Sequence, residues 1–226
     1  MKKILAGVRK FQNDVFPQRK DLFQKLAHGQ QPRALFITCA DSRIDPSLIT
    51  QTDPGELFIC RNAGNIVPPH TGQTGGITAS IEYAVAALEV PHVIVCGHTH
   101  CGAMGAAANP ASLERFPHVK NWLTHSQAAV RIVEQHGSEL SPEDRLQALI
   151  EENVLMQLVH LRTHPYVAAA LANNRLQLHA WVYSIEDGEV LIYDEVDHAF
   201  HPMSGRQMPE LDKPQVSAIS PSVVGV

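Results

Sequence analysis

Two short segments carry residues that could do chemistry together. The first is Cys39-Ala40-Asp41-Ser42-Arg43 and the second is Gly97-His98-Thr99-His100-Cys101-Gly102. Two thiolates and an imidazole, from Cys39, Cys101 and His98, form a donor set suited to zinc. Three protein ligands leave a fourth position open, as in catalytic zinc sites. A structural zinc site usually closes with four ligands, often as two close pairs, and here only His98 and Cys101 are close in sequence. His100 lies beside them, but in an extended segment its side chain diverges from that of His98. A redox pair would be expected to show a Cys-x-x-Cys motif, which is absent. A plain core role for Cys39 and Cys101 is the competing reading. Asp41 and Arg43 weigh against it, because an apolar core does not tolerate unpaired charge.

Both segments must be brought together by the chain around them. Ala34-Leu35-Phe36-Ile37-Thr38 leads into Cys39 and Val93-Ile94-Val95-Cys96 leads into Gly97, each an apolar run of strand length. Side chains just past the carboxyl ends of neighbouring strands in an open α/β sheet converge in one crevice. Leu57-Phe58-Ile59-Cys60 reads as a further strand after the turn signal Asp53-Pro54-Gly55-Glu56, with Cys60 an inert core thiol. Gly75-Gly76 opens a helix of small residues that Pro91 stops, and Gly102 opens another. One helical pattern runs from His118 to His136. A second starts at Ser141-Pro142-Glu143-Asp144, with Leu146, Leu149, Ile150, Val154, Leu158 and Leu161 as its apolar face. His160 and His164 read as helix-end residues. Leu178 to Tyr183 and Val190 to Tyr193 read as an edge pair joined by Glu186-Asp187-Gly188.

The expected fold is therefore a single α/β domain over residues 1–200. Its central, mostly parallel sheet is flanked by helices, with an antiparallel pair at one edge. Residues 1–30 form a helical arm, with Ile4, Leu5, Val8, Phe11 and Val15 at helical spacing, Pro17 as a stop, and a second helix over Arg19 to His28. Residues 201–226, which include Pro202, Gly205, Pro209, Pro214 and Pro221 and show no periodicity, are expected to be irregular. The chain has 226 residues, 44% of them hydrophobic, and a net charge of −5, which gives no electrostatic case for nucleic acid or anionic membranes. No apolar run approaches the roughly 18 residues of a membrane-spanning helix. Polar residues from Arg9 to Asn13 interrupt any signal-like apolar start. Four cysteines without a framework pattern suit a reducing cytoplasm.

The Cys-x-Asp-x-Arg and His-x-x-Cys pair resembles the β-class carbonic anhydrases, in their plant-type, cyanobacterial or cyanate-operon branch. Arg61-Asn62-Ala63-Gly64-Asn65-Ile66-Val67-Pro68-Pro69 and Gly76-Ile77-Thr78-Ala79-Ser80-Ile81-Glu82-Tyr83-Ala84 are similar to the family's intervening segments, and the likeness runs from about Phe11 to Val196. The resemblance implies one zinc per chain on Cys39, His98 and Cys101. It also implies reversible hydration of carbon dioxide to bicarbonate and a proton by zinc-bound hydroxide. Asp41 would orient that hydroxide and Arg43 would hold Asp41. Two thiolates cancel the ion's charge, so activity is expected to rise toward alkaline pH. Gln30, Phe58, Tyr83 and Gly102 match positions around the substrate. None of the 13 histidines is singled out as the proton shuttle. Phe36 stands where the other large branch carries a Trp of a bicarbonate inhibitory site, which argues against that regulation. The resemblance further implies a homodimer or a larger assembly, from tetramer to octamer, with the N-terminal helices lying across a partner. Location is cytoplasmic, with the carboxysome as the alternative. A carbon disulfide or carbonyl sulfide hydrolase on the same scaffold, or a non-catalytic zinc scaffold protein, are the other readings of these motifs.

Overall fold

The computed structural model describes residues 1–72, 75–137 and 139–205. Six strands form one sheet: β1 (Ala34–Cys39), β2 (Leu57–Asn62), β3 (His92–His98), β4 (Gln177–Tyr183), β5 (Val190–Asp194) and β6 (Ala199–Pro202), in the order β2-β1-β3-β4-β5-β6. The first four strands in that order run parallel, while β5 and β6 are antiparallel additions at one edge. β1 is buried at every position and β3 at all but its first. This is why both read as continuous apolar runs: helices cover both faces of a parallel sheet. Phe36 is wholly buried and packs edge-on against Trp181 of β4, with ring centroids 5.9 Å apart.

The helices are α1 (Lys2–Lys10), α2 (Lys20–Leu26), α3 (Pro46–Thr50), α4 (Gly76–Glu82), α5 (Gly102–Ala108), α6 (Pro117–Trp122), α7 (Gln127–His136), α8 (Pro142–Arg162) and α9 (Pro165–Ala172). Two begin where the sequence places caps. Asp45 accepts from the amides of Ser47 and Leu48 ahead of α3, and Ser141 accepts from that of Asp144 ahead of α8. α8 lies along β3 so closely that a Cβ on Gly97 would sit 2.9 Å from Val154 Cγ2. Only glycine lets that helix approach the end of the strand that carries His98.

Three expectations are corrected. The single helix from His118 to His136 is broken into α6, a 3-10 turn over Leu123–Ser126, and α7. There the Thr124 hydroxyl donates to the Asn121 carbonyl and the Ser126 hydroxyl is drawn inward to Asn153, local bonds that compete with a regular helix. The arm does not stop at Pro17: α1 continues through a π turn over Phe11–Val15 and a 3-10 turn over Pro17–Arg19 into α2. Proline at the start of a helical turn gives up an amide that has no partner there anyway. Finally, β6 pairs with β5 and takes in His201 and Pro202, so the edge holds three strands rather than a pair. The rest of the tail, from residue 206, lies outside the described residues.

The sheet also contains a half-buried titratable pair. His92 Nδ1 and His179 Nε2 are 3.1 Å apart on β3 and β4. Burial, with His92 beside it, holds the His179 pKa down at about 4. The unfolded chain thus takes up a proton below about pH 6.5 that the fold refuses until about pH 4. Stability is expected to fall as pH drops through that window. His179→Gln should flatten this part of the profile in urea titrations run from neutral to acid pH. Parallel profiles for the two proteins would show that His179 does not carry the effect.

Candidate metal centre

The strand order places the site. β1 connects to β2 on one side and β3 lies on the other, so the carboxyl ends of β1 and β3 flank the point where the chain's connections diverge. A crevice opens there in α/β sheets. Cys39 is the last residue of β1 and His98 the last of β3, with Thr38 paired to Cys96 in register. The chain turns at His100, whose φ is +53°, and Cys101 directly precedes α5. The Cys39, His98 and Cys101 ligand atoms all lie within 4.8 Å of one another, and all three residues are buried.

Each ligand is held from behind. His98 Nδ1 donates to the Thr99 carbonyl at 2.8 Å, which fixes the tautomer and leaves the Nε2 lone pair facing the two sulfurs. That Nε2 is fully buried and has no hydrogen-bond partner among the described residues. A buried nitrogen without a partner is costly, and a cation at this point would satisfy it. The two thiols make the same case. Hydrogen bonding from Cys101 holds the Cys39 thiol well below its ordinary value against the opposing effect of burial, with the Gly64 amide assisting. The hydrogen bond to Cys39, then burial, pushes the Cys101 thiol far up. The bare pair thus shares one proton, and a divalent cation is what lets both ionise together. The residues fit zinc.

Asp41 borders this set. Its Oδ2 is 3.8 Å from His98 Nε2. Arg43 grips the carboxylate through Nε to Oδ1 at 2.9 Å, Nη2 to Oδ2 at 2.8 Å and its own backbone amide to Oδ1 at 3.0 Å. These hydrogen bonds hold the Asp41 carboxyl well below the usual range, so it is ionised at any working pH. Arg43 Nη2 also donates to the His100 carbonyl at 3.1 Å, tying Asp41 to the turn that carries two ligands. From the far side Glu186 pairs with His100 and accepts from the Thr99 hydroxyl, which anchors that turn to the β4–β5 hairpin.

The remaining predicted residues are elsewhere in the same chain. Gly102 opens α5 beside Cys101. Gln30 is exposed between α2 and β1. Phe58 pairs in register with Leu35, four residues before Cys39, which is about 13 Å along a strand. Tyr83 is half exposed and its ring lies 5.9 Å from that of Phe58. The chain therefore brings Cys39, Asp41, Arg43, His98 and Cys101 together but not Phe58 and Tyr83.

Residues that the motifs did not single out build the floor. Arg61, at the end of β2, donates to the carbonyls of Cys39, Asp41 and Ile44, fixing the loop that presents Asp41. A polar ladder on α8, its Asn153 and Gln157 fully buried and His160 partly so, holds the loop after β2. Asn153 Nδ2 donates to the Gly64 carbonyl, Gln157 accepts from the Val67 amide, and His160 Nδ1 donates to the Val67 carbonyl. A polar residue on the buried stripe of a helix was the available signal.

Comparison with known proteins gives one consistent result. Residues 34–190 match the family model described as carbonic anhydrase. A carbonic anhydrase of Pseudomonas aeruginosa is 51% identical over 202 residues, covering 88% of this chain and 90% of the relative. One from Synechocystis is 48% identical over 201 residues, covering 88% of this chain and 73% of the relative. Among solved structures, the β-carbonic anhydrase CcaA superposes with a TM-score of 0.87 at 48% identity, covering 89% of this chain and 91% of that one. A tetrameric β-carbonic anhydrase from the ascomycete Sordaria macrospora gives 0.68 at 32% identity, covering 84% and 92%.

Proposed function

Since the chain belongs to the β-class carbonic anhydrases, we propose that Cys39, His98 and Cys101 hold its zinc and that Asp41, braced by Arg43, orients the attacking water. The reaction is zinc-dependent, reversible hydration of carbon dioxide to bicarbonate and a proton. The carbon disulfide or carbonyl sulfide hydrolase and the non-catalytic scaffold find no support among these relatives. The residue assignment rests on one observation above the others: three buried ligand atoms within 4.8 Å of one another, edged by an ionised carboxylate.

Bound there, zinc supplies a Lewis acid that makes water a usable nucleophile near neutral pH. The protein's part is orientation. Asp41, ionised and held by three donors, accepts a hydrogen bond from the attacking water and aims its lone pair at carbon dioxide. Arg43 keeps that carboxylate from wandering, because a bidentate grip fixes its plane as well as its position. Two thiolates beside the reacting water temper its acidity, so turnover rises toward alkaline pH. Stopped-flow hydration on the zinc-loaded protein, from neutral to alkaline pH, tests the reading. Fast turnover that climbs with pH supports it, and no turnover with zinc bound overturns it.

The assembly is a homodimer or larger, built through the arm. No residue of α1 is buried, and Ile4, Leu5, Val8, Phe11, Val15 and Phe16 are all exposed. Phe11 and Phe16 pack on each other and on Phe23, yet the stripe as a whole stays exposed; an apolar stripe of this length marks an interaction surface, and a second copy of this chain is its occupant. In that arrangement Gln30, Phe58 and Tyr83, distant from their own thiols or exposed, serve the pocket at the interface. Deleting residues 1–16 is expected to lower the assembly mass in sedimentation and to reduce turnover with zinc retained. Unchanged mass would assign the contact elsewhere. No described helix is long and apolar enough to cross a membrane. Four free, buried thiols suit a reducing cytoplasm, which is where we place the protein.

A further inference from the structure

The Cys39 sulfur accepts a hydrogen bond from the Gly64 amide at 3.4 Å. That N–H belongs to the Ala63–Gly64 peptide. The carbonyl of the same peptide accepts from Trp122 Nε1 at 2.9 Å. A trans peptide is a rigid plane with its N–H and C=O on opposite sides. The indole therefore fixes, from one side, the direction in which the amide points on the other. Its donation also polarises the peptide and strengthens the N–H, as successive hydrogen bonds in a chain do.

The surroundings leave this peptide little alternative. Asn153 Nδ2 holds the Gly64 carbonyl at 3.1 Å. Gly64 has φ +80°, and a Cβ there would meet Met104 Cε at 2.8 Å, so α5 packs directly against the loop at this peptide. Trp122 is the last residue of α6, where the expected longer helix breaks. Its indole nitrogen can only donate, so the direction of the chain of bonds is fixed: indole N–H to carbonyl, amide N–H to sulfur.

We infer that Trp122 is a positioning residue for the metal centre: through the Ala63–Gly64 peptide its indole N–H aims and strengthens the hydrogen bond to the Cys39 sulfur, and so sets how strongly that sulfur donates to a bound metal ion. The inference rests on Cys39 being a ligand. Without the indole N–H, the Gly64 amide is less fixed and less polarised, and more electron density stays on the sulfur. Outer partners of metal ligands are typically worth about 10-fold or more in metal affinity.

The test uses the full chain in its cobalt form and in its zinc form. Two variants are compared with the parent: Trp122→Phe, and the protein with Trp122 alone replaced by its benzothiophene isostere, which keeps the bicyclic shape and puts sulfur in place of the N–H. The sulfur-to-cobalt charge-transfer band should move to longer wavelength in both. Zinc affinity, measured by competition with a chromophoric chelator, should differ from the parent's by about 10-fold in both, a looser aim lowering it and a more electron-rich sulfur raising it. If Trp122→Phe does not fold, the isostere decides alone. An isostere with the parent's band position and zinc affinity would overturn the inference and reduce Trp122 to a space-filling ring. Absence of any sulfur-to-cobalt band in the parent would instead remove Cys39 from the ligand set, and this inference with it.

Discussion

Asp41→Asn is expected to lose about 10²- to 10⁴-fold in carbon dioxide hydration while still binding one zinc per chain, the scale on which a positioned proton acceptor matters. The substitution keeps the side chain's size and removes its charge. In the parent protein the carboxylate has all its hydrogen-bond partners on one side, with Arg43 supplying three donors, and turns toward His98 on the other. An amide in its place presents two N–H groups, at least one of which must face Arg43 or the water it should accept from. With the amide nitrogen at the Oδ2 position, Arg43 loses its Nη2 bond to residue 41 and keeps the two to the remaining oxygen together with that to the His100 carbonyl. Zinc should stay because Asp41 is not one of the three clustered donors. Stopped-flow rates set beside zinc content by atomic absorption check both halves. Parent-like turnover would remove Asp41 from the orienting role. Loss of zinc would mean that the carboxylate belongs to the ligand set.

The site's inner residues were legible because their signal is local and chemical. Cys39 and His98 each close an apolar run, and such runs in this sequence are buried central strands of a parallel sheet. Adjacent strand ends then bring distant residues together, which is why Cys39 could be paired with His98 and Cys101 before any coordinates. What lay beyond local pattern was missed for identifiable reasons. α8 was read by its leucines, yet its buried stripe is Leu149, Ile150, Asn153, Val154, Gln157 and Leu161. Leu146 and Leu158 are only partly buried, while two amides sit at the centre. Apolar periodicity does not register a buried Asn whose partners are backbone groups of another segment. His160 was read as a helix-end residue, and only the folded chain shows it donating to the Val67 carbonyl. Trp122 likewise counted as one apolar member of a helix, although its nitrogen matters as much as its ring.

The distance of Phe58 and Tyr83 from the thiols has a different origin. The parallel register of β1 and β2 sets Phe58 opposite Leu35. Phe58 cannot slide toward Cys39 within its own sheet. On the assembly proposed above, Phe58 would serve the substrate pocket of a neighbouring copy, together with the half-exposed Tyr83 whose ring lies beside it.

Cys39→Ser should abolish stoichiometric zinc binding, and comparison with the other cysteines makes that result specific. All four cysteines are buried and free, so burial alone does not distinguish ligands from core. Cys96 is two residues from His98, yet it donates to the Gly97 carbonyl at 3.3 Å, and burial pushes its thiol up to about 12. Burial likewise raises the Cys60 thiol. Only Cys39 and Cys101 share a hydrogen bond and face His98. A serine at position 39 still accepts from the Gly64 amide, so the fold should persist. Its hydroxyl, however, ionises far less readily than a thiol and leaves the cation one charged donor short. Because zinc binds only the folded chain, the loss should also appear as stability. Zinc at 100 times its Kd raises the parent's unfolding free energy by about 2.7 kcal/mol, and added zinc should leave Cys39→Ser unmoved. Cys96→Ala should lose packing but keep both its zinc and the zinc-dependent rise. Equilibrium dialysis with metal analysis, run beside thermal melts with and without zinc, reads all three proteins. A full equivalent of zinc on Cys39→Ser, or none on a folded Cys96→Ala, would mean that the ends of β1 and β3 hold the metal through a different set of sulfurs.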